Sequence, residues 1–130
     1  GVLKDCKTFH ISSTAAEIVK YTKNNFYALK VIFANQMFDI CEKMDVDWNI
    51  IRDIITSPQN QLIGPSHLEP IMGLARGFGG KCLPKDSIAL RTLARELDVD
   101  YNILDAVQND NERLRNILTG KKSDVITEDD

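Results

Sequence analysis

The residues best suited to chemistry lie between positions 77 and 86, which read Gly-Phe-Gly-Gly-Lys-Cys-Leu-Pro-Lys-Asp. Pro84 suits the first turn of a helix, because the backbone N–H that proline lacks has no intrahelical partner there. We therefore expect Cys82 just before a helix and Asp86 within its first turn. The positive end of that helix and the two flanking lysines favour the thiolate, which is the nucleophilic form of cysteine.

This segment predicts a nucleophilic cysteine with a carboxylate nearby. Asp86 follows Cys82 by four residues and is a candidate acid, base or water-orienting group for whatever the sulfur attacks. The glycines lack Cβ atoms and allow backbone N–H groups to come close to a bound anion or sugar. A purely structural interpretation, with a turn and a buried thiol, fits less well, since flanking lysines are unusual beside an inert buried cysteine.

The remaining candidate residues carry weaker signals. Lys20 and Asn24 are four residues apart and share one face of a predicted helix, where the ordinary interpretation is a solvated face. Cys41 lies among apolar residues and is expected in the core. The three cysteines are an odd number with no CxxC spacing and no histidine cluster, so we expect neither a disulfide framework nor a metal site.

Two helices are expected in the first half of the chain. A capping box of Thr14 and Glu17 predicts the start of a helix that runs to Met44, a length of about 45 Å. A helix of that length is too long for the interior of a small domain, so we expect it to project from the domain or to support a partner. Asp47 is expected to cap a second, mostly buried helix that ends before Pro58.

The second half predicts a long loop and two further helices. Residues 57–81 contain several glycines and prolines, and a loop of about 25 residues is more often functional than neutral in a compact domain. A third helix is expected from near Pro84, and a fourth from an Asp100 cap to a stop at Gly120. With no convincing strand pair, the fold class is all-α: a long N-terminal helix and three shorter helices around one core, with a long substrate or catalytic loop.

Composition places the chain among soluble globular proteins. Its 130 residues, 43% hydrophobic and 27% charged, amount to about one domain. The net charge of -3 argues against a broad nucleic-acid-binding surface, and no apolar run approaches the roughly 20 residues that span a bilayer. We expect a cytoplasmic protein, with residues 1–13 leading into a domain at 14–120 and a flexible tail at 121–130.

Two segments resemble a known family. Residues 16–35, with Lys20 and Asn24, resemble the linking helix of UDP-glucose/GDP-mannose dehydrogenases, and residues 77–86 resemble their catalytic cysteine loop. The two motifs occur in the right order, which makes the resemblance specific. It covers roughly residues 14–120, the central domain through which these enzymes dimerise, with a fold like the C-terminal domain of 6-phosphogluconate dehydrogenase. Residues 1–13 then resemble the end of the preceding nucleotide-binding domain.

The resemblance implies an activity and a role for each candidate residue. These enzymes oxidise the C6 alcohol of a nucleotide sugar such as UDP-glucose to a carboxylate in two NAD-dependent steps. Cys82 would be the nucleophile, forming a thiohemiacetal and then a thioester, and Asp86 would handle protons or position water. Lys20 would stabilise the developing oxyanion and Asn24 would help to hold water. The residues implied to bind the sugar are Phe78, Gly79 and Gly80. The resemblance also implies that Lys85 lies near the cofactor.

The sequence also departs from the family pattern. It has no Gly-x-Gly-x-x-Gly motif, so NAD would bind mainly to a domain outside this chain, and the chain alone is not expected to turn over. Leu62 stands where the family often has an arginine, two residues before Gly64, and Arg76 is a candidate to replace that charge. Gln36 stands where an acid often follows Asn35.

Two other classes of function compete with this interpretation. The first is a non-catalytic helical interaction or scaffold module that retains the sequence without the chemistry. Such a module has no need of Lys20, Asn24, Cys82 and Asp86 together. The second is a self-contained thiol hydrolase, which lacks a convincing base because no motif ties either histidine to the cysteine.

Overall fold

Four helices and one short hairpin make up the described part of the chain. The computed structural model describes residues 8–60 and 62–117. The helices are α1 (Ser13–Lys43), α2 (Trp48–Ile55), α3 (Cys82–Glu96) and α4 (Asn102–Arg115), and the strands are β1 (Ile71–Met72) and β2 (Ala75–Arg76). This confirms the mostly helical fold with a long N-terminal helix. The predicted stop at Gly120 and the predicted tail lie outside the described residues.

Helix α1 is 31 residues long, as its uninterrupted pattern predicts, but it starts earlier than expected. Ser12 has an extended backbone, and its Oγ accepts a hydrogen bond from the Ala15 N–H at 3.1 Å. Ser12 is therefore the N-cap, and the predicted capping box of Thr14 and Glu17 is wrong because both residues lie inside the helix. Three successive hydroxyl residues, Ser12, Ser13 and Thr14, offered the same chemistry, and the backbone conformation selected the first.

The buried side chains form two clusters along α1 rather than a single core. One cluster joins α1 to the glycine-rich segment, α3 and α4, and the other joins the end of α1 to α2 and the loop. Their buried members are Ala28, Val31, Ile32, Phe78, Leu83, Val107 and Leu114 in the first, and Ala34, Cys41, Trp48 and Leu68 in the second. The core position predicted for Cys41 is confirmed.

Helix α2 is capped as predicted but is not mostly buried. Asp47 accepts a hydrogen bond from the Asn49 N–H at 2.9 Å, which confirms the cap. Only Trp48 of this helix is fully buried, while Ile50 and Ile54 are 57% and 53% exposed. The prediction of a buried helix is wrong because an apolar pattern shows what a face can pack against, not whether a neighbour covers it.

Both later helices begin at residues other than those expected. Helix α3 begins at Cys82, two residues before Pro84, so the cysteine lies within the first turn and not before it. Helix α4 begins after Tyr101, with no side-chain cap, so the predicted Asp100 cap is wrong. It ends at Arg115.

The long loop between α2 and α3 is anchored to the helices. The Lys30 Nζ donates to the Gly64 carbonyl at 2.9 Å, and the Trp48 Nε1 donates to the Leu68 carbonyl at 3.1 Å. The loop also contains the β1–β2 hairpin, an antiparallel pairing that the sequence pattern did not predict because two-residue strands carry no periodicity. None of the helices within residues 8–60 and 62–117 is long and apolar enough to cross a membrane.

Candidate active site

Two of the four predicted catalytic residues are in direct contact. The Asn24 Nδ2 donates to the Asp86 Oδ2 at 2.6 Å, although 62 residues separate them in the sequence. Asn25 donates to the backbone carbonyl of Asp86 at 3.1 Å. Asp86 is only 2% exposed, and a buried carboxylate needs hydrogen bonds to compensate for lost hydration. Two adjacent amides of α1 therefore hold Asp86 in one orientation.

Cys82 lies one helical turn before Asp86 and is exposed. Residues four apart on a helix share a face, so the thiol and the carboxylate lie on the same side of α3. The backbone N–H groups of the first turn of α3 have no intrahelical acceptors and present positive partial charge. The next residue, Leu83, is buried in the first core cluster and anchors the start of α3. The arrangement combines an accessible thiol with a fixed helix end.

Lys20 lies on α1 one turn before Asn24 and on the same face. Its side chain is exposed, and its Nζ lies 5.7 Å from the centroid of the Tyr21 ring. Lys85 is also exposed, on α3 immediately before Asp86. Within residues 8–60 and 62–117, no group of three or more histidine, cysteine or acidic side chains could hold a metal ion.

The glycine-rich segment is held from behind by α4. The Phe78 N–H donates to the Asn111 Oδ1 at 2.7 Å, and the Asn111 Nδ2 donates to the Phe78 carbonyl at 3.0 Å. The side chain of Phe78 is buried in the first core cluster. Sequence reasoning missed Asn111. The available signal was a polar residue on an apolar stripe, between Val107 and Leu114.

Arg76 is not placed as a free surface charge. It is 7% exposed, and its guanidinium donates to the Asn35 Oδ1 at 3.0 Å and pairs with the Asp39 carboxylate at 3.0 Å. It also lies over the Phe38 ring, 5.3 Å from the centroid. Arg76 therefore joins the hairpin to α1, whereas Leu62 is 70% exposed. That Arg76 replaces the charge missing at Leu62 stays a prediction.

Two polar residues of α1, Lys30 and Gln36, contact other parts of the fold. The Gln36 Nε2 donates to the Asp110 carboxylate on α4, and an acid at position 36 would repel that group. This contact gives a physical reason for the glutamine. Lys30 is buried beside the Gly64 carbonyl, and the loss of hydration lowers the pKa of its ammonium group.

The buried contacts of Arg76 predict a loss of stability on mutation. Arg76→Leu is expected to lower the free energy of unfolding by about 2 kcal/mol, because the fully buried Asn35 Oδ1 loses its donor. Urea unfolding would measure the change. The matched control, Arg113→Leu, removes an ion pair whose arginine is 49% exposed and should change stability by less than about 1 kcal/mol. Equal effects in the two variants would contradict the prediction.

The fold and the site define a small helical domain with an exposed thiol at a helix start and a buried carboxylate one turn later. Residues 14–113 match the family described as the UDP-glucose/GDP-mannose dehydrogenase family, central domain. The chain belongs to this family.

Individual proteins of known sequence that resemble this chain are dehydrogenases of the same family. The chain is 34% identical over 115 residues to a UDP-glucose 6-dehydrogenase of Rickettsia bellii, an alignment covering 88% of the chain and 25% of the relative. It is 36% identical over 115 residues to a GDP-mannose 6-dehydrogenase of Pseudomonas aeruginosa, covering 88% of the chain and 24% of the relative. The chain thus spans about a quarter of the length of these relatives.

Proposed function

We propose that this chain is the central domain of an NAD-dependent nucleotide-sugar 6-dehydrogenase and that it carries the catalytic cysteine. The observation that supports the proposal is the contact between Asn24 and Asp86, which joins two separate sequence motifs of the predicted site. A scaffold module, the alternative function, gives no reason for an exposed thiol one turn from a buried carboxylate. In this proposal, residues 14–120 are the domain and residues 1–13 are the end of a nucleotide-binding domain.

The first oxidation removes a hydride and the hydroxyl proton from the C6 alcohol and leaves an aldehyde, and the thiol acts in the second oxidation. The Cys82 sulfur forms a bond to the aldehyde-level carbon, and the carbonyl electron pair moves to oxygen, where the Lys20 ammonium stabilises the negative charge. Loss of a hydride from that carbon then leaves a thioester on Cys82. NAD, when bound, accepts the hydride in each of the two oxidations.

Hydrolysis completes the reaction. A water molecule oriented by Asn24 and Asp86 attacks the thioester carbon, the C–S bond breaks, and the sulfur leaves as a thiolate. The water proton passes to the Asp86 carboxylate and on to solvent. Because the Asn24 amide engages one oxygen of this carboxylate, the amide also orients the other oxygen. The nucleophile must stay reduced through this cycle, which favours the cytoplasm.

The proposed sugar contacts lie in the glycine-rich segment. Both backbone groups of Phe78 already bond to Asn111, so Phe78 contributes by giving the segment its shape. Gly79 and Gly80 offer backbone groups to the nucleotide sugar. Lys85, exposed beside Asp86, is proposed to lie near NAD, which binds mainly to another domain.

The full-length protein provides the test. It is expected to reduce two molecules of NAD for each sugar carboxylate formed from UDP-glucose or GDP-mannose. NADH would be followed by absorbance and the carboxylate by mass spectrometry. A scaffold would produce neither NADH nor carboxylate with either sugar, and a reaction that stops at the aldehyde with one NADH per sugar would exclude the thioester step.

The exposed apolar face of α1 supports a homodimer. Four apolar residues recur at seven-residue intervals on this helix and are exposed, which is the spacing of a helix-packing seam: Val19, Phe26, Phe33 and Ile40. We expect the chain to sediment as a dimer at tens of micromolar and Phe33→Glu to sediment as a monomer. Leu97→Glu, at the C-cap of α3, changes a residue that is 63% exposed against 52% for Phe33, and this variant should remain dimeric. A wild-type monomer would contradict this interface.

A further inference from the structure

We propose that Asn111 is a positioning residue that shapes the nucleotide-sugar site from the far side of the glycine loop. The glycine loop is defined as residues 77–81, which connect β2 to α3. Asn111 lies on α4, outside both motifs of the predicted site. The inference rests on the proposed function, because it assumes that Gly79 and Gly80 contact the sugar.

The contact between Asn111 and the loop restrains the peptide groups on both sides of the Phe78 Cα atom. Its amide oxygen accepts from the Phe78 N–H at 2.7 Å, and its amide nitrogen donates to the Phe78 carbonyl at 3.0 Å. Two hydrogen bonds to one residue limit both its position and its rotation. Asn111 and Phe78 are both buried, so water cannot readily replace either bond. One side chain therefore sets the orientation of the loop at Phe78.

Packing against α4 extends on both sides of Phe78. A Cβ atom on Gly77 would overlap the Asn111 Oδ1, and one on Gly79 would overlap the guanidinium of Arg115, one turn later on α4. Helix α4 thus occupies the space of both missing side chains. This gives the glycines a role in close packing that sequence reasoning did not consider.

Cys82 and the start of α3 have contacts of their own in the core and on α4. Leu83 is buried in the first core cluster, and the Ser87 Oγ donates to the Gln108 Oε1 at 3.0 Å. These contacts hold the start of α3 without involving Asn111. A change at Asn111 should therefore displace the sugar-binding glycines more than the nucleophile, and it should weaken binding more than it slows the chemical steps.

The experiment separates binding from turnover in the full-length enzyme. Asn111→Leu leaves both backbone groups of Phe78 without a partner, and we expect the Kd for UDP-glucose or GDP-mannose, whichever is oxidised, to rise about tenfold. Calorimetry measures Kd, and steady-state kinetics should show kcat within about threefold of wild type. Gln108→Leu removes an amide from the same helix without touching the loop, and its Kd should stay within about twofold.

Further variants keep the result decisive. If the leucine variant fails to fold, Asn111→Ser tests the same contact with a smaller polar side chain. We expect its Kd to rise severalfold. A wild-type Kd in either folded variant, or a loss of kcat without a change in Kd, would overturn the role of Asn111. If Cys82→Ser still forms carboxylate, the proposed function fails instead, so the two failures are distinguishable.

Discussion

Cys82→Ser in the full-length enzyme is expected to abolish formation of the sugar carboxylate, with a loss of at least about a thousandfold. Serine keeps the size of the side chain but replaces the thiol with a hydroxyl that is not ionised near neutral pH. Cys82 is exposed at the start of α3, and a serine hydroxyl at this position is a much weaker nucleophile than a thiol. Mass spectrometry of the sugar product measures the loss.

Another cysteine supplies the matched control. Cys41 is buried in the second core cluster, so Cys41→Ser should leave the chemical steps unchanged while it lowers the free energy of unfolding by about 1 kcal/mol. Iodoacetamide should label Cys82 in the folded protein and spare Cys41. Unaltered carboxylate formation by Cys82→Ser would show that this thiol is not the nucleophile.

Gly77→Ala is expected to lower the free energy of unfolding by about 3 kcal/mol. Its φ of 80° lies in the left-handed region, where a Cβ costs about 1–2 kcal/mol. The same Cβ would overlap the Asn111 amide, and overpacking of a buried site typically costs a further 1–3 kcal/mol. Urea unfolding of the variant chain measures the sum of the two effects.

The hairpin glycine separates backbone strain from overlap. Gly73 has a similar φ of 64°, but a Cβ there would meet no atom within 4 Å. Gly73→Ala should therefore destabilise the chain by only about 1 kcal/mol. If both substitutions cost the same, close packing of α4 against the glycine loop would not explain the glycine at position 77.

The spacing of residues along the chain was sufficient to predict that helices such as α1 and α2 form. It was insufficient to predict which of their side chains are buried. The unbroken apolar pattern predicted a helix as long as α1. The N-cap of α2 was predicted from the residue type of Asp47 alone. These features depend on residues within one or two turns of each other. Burial of α2 was predicted wrongly, since Ile50 and Ile54 are exposed and their environment depends on distant segments.

The sequence by itself determined the helical fold and the candidates Cys82 and Asp86 from residue types at short spacings. It added Lys20 and Asn24 through the resemblance to the family motifs. Only the tertiary structure showed that Asn24 contacts Asp86 and that Asn111 holds Phe78. These pairs are 62 and 33 residues apart in the sequence. A spacing within one helix predicts which side chains share a face, whereas the partner of that face is decided by how the helices pack.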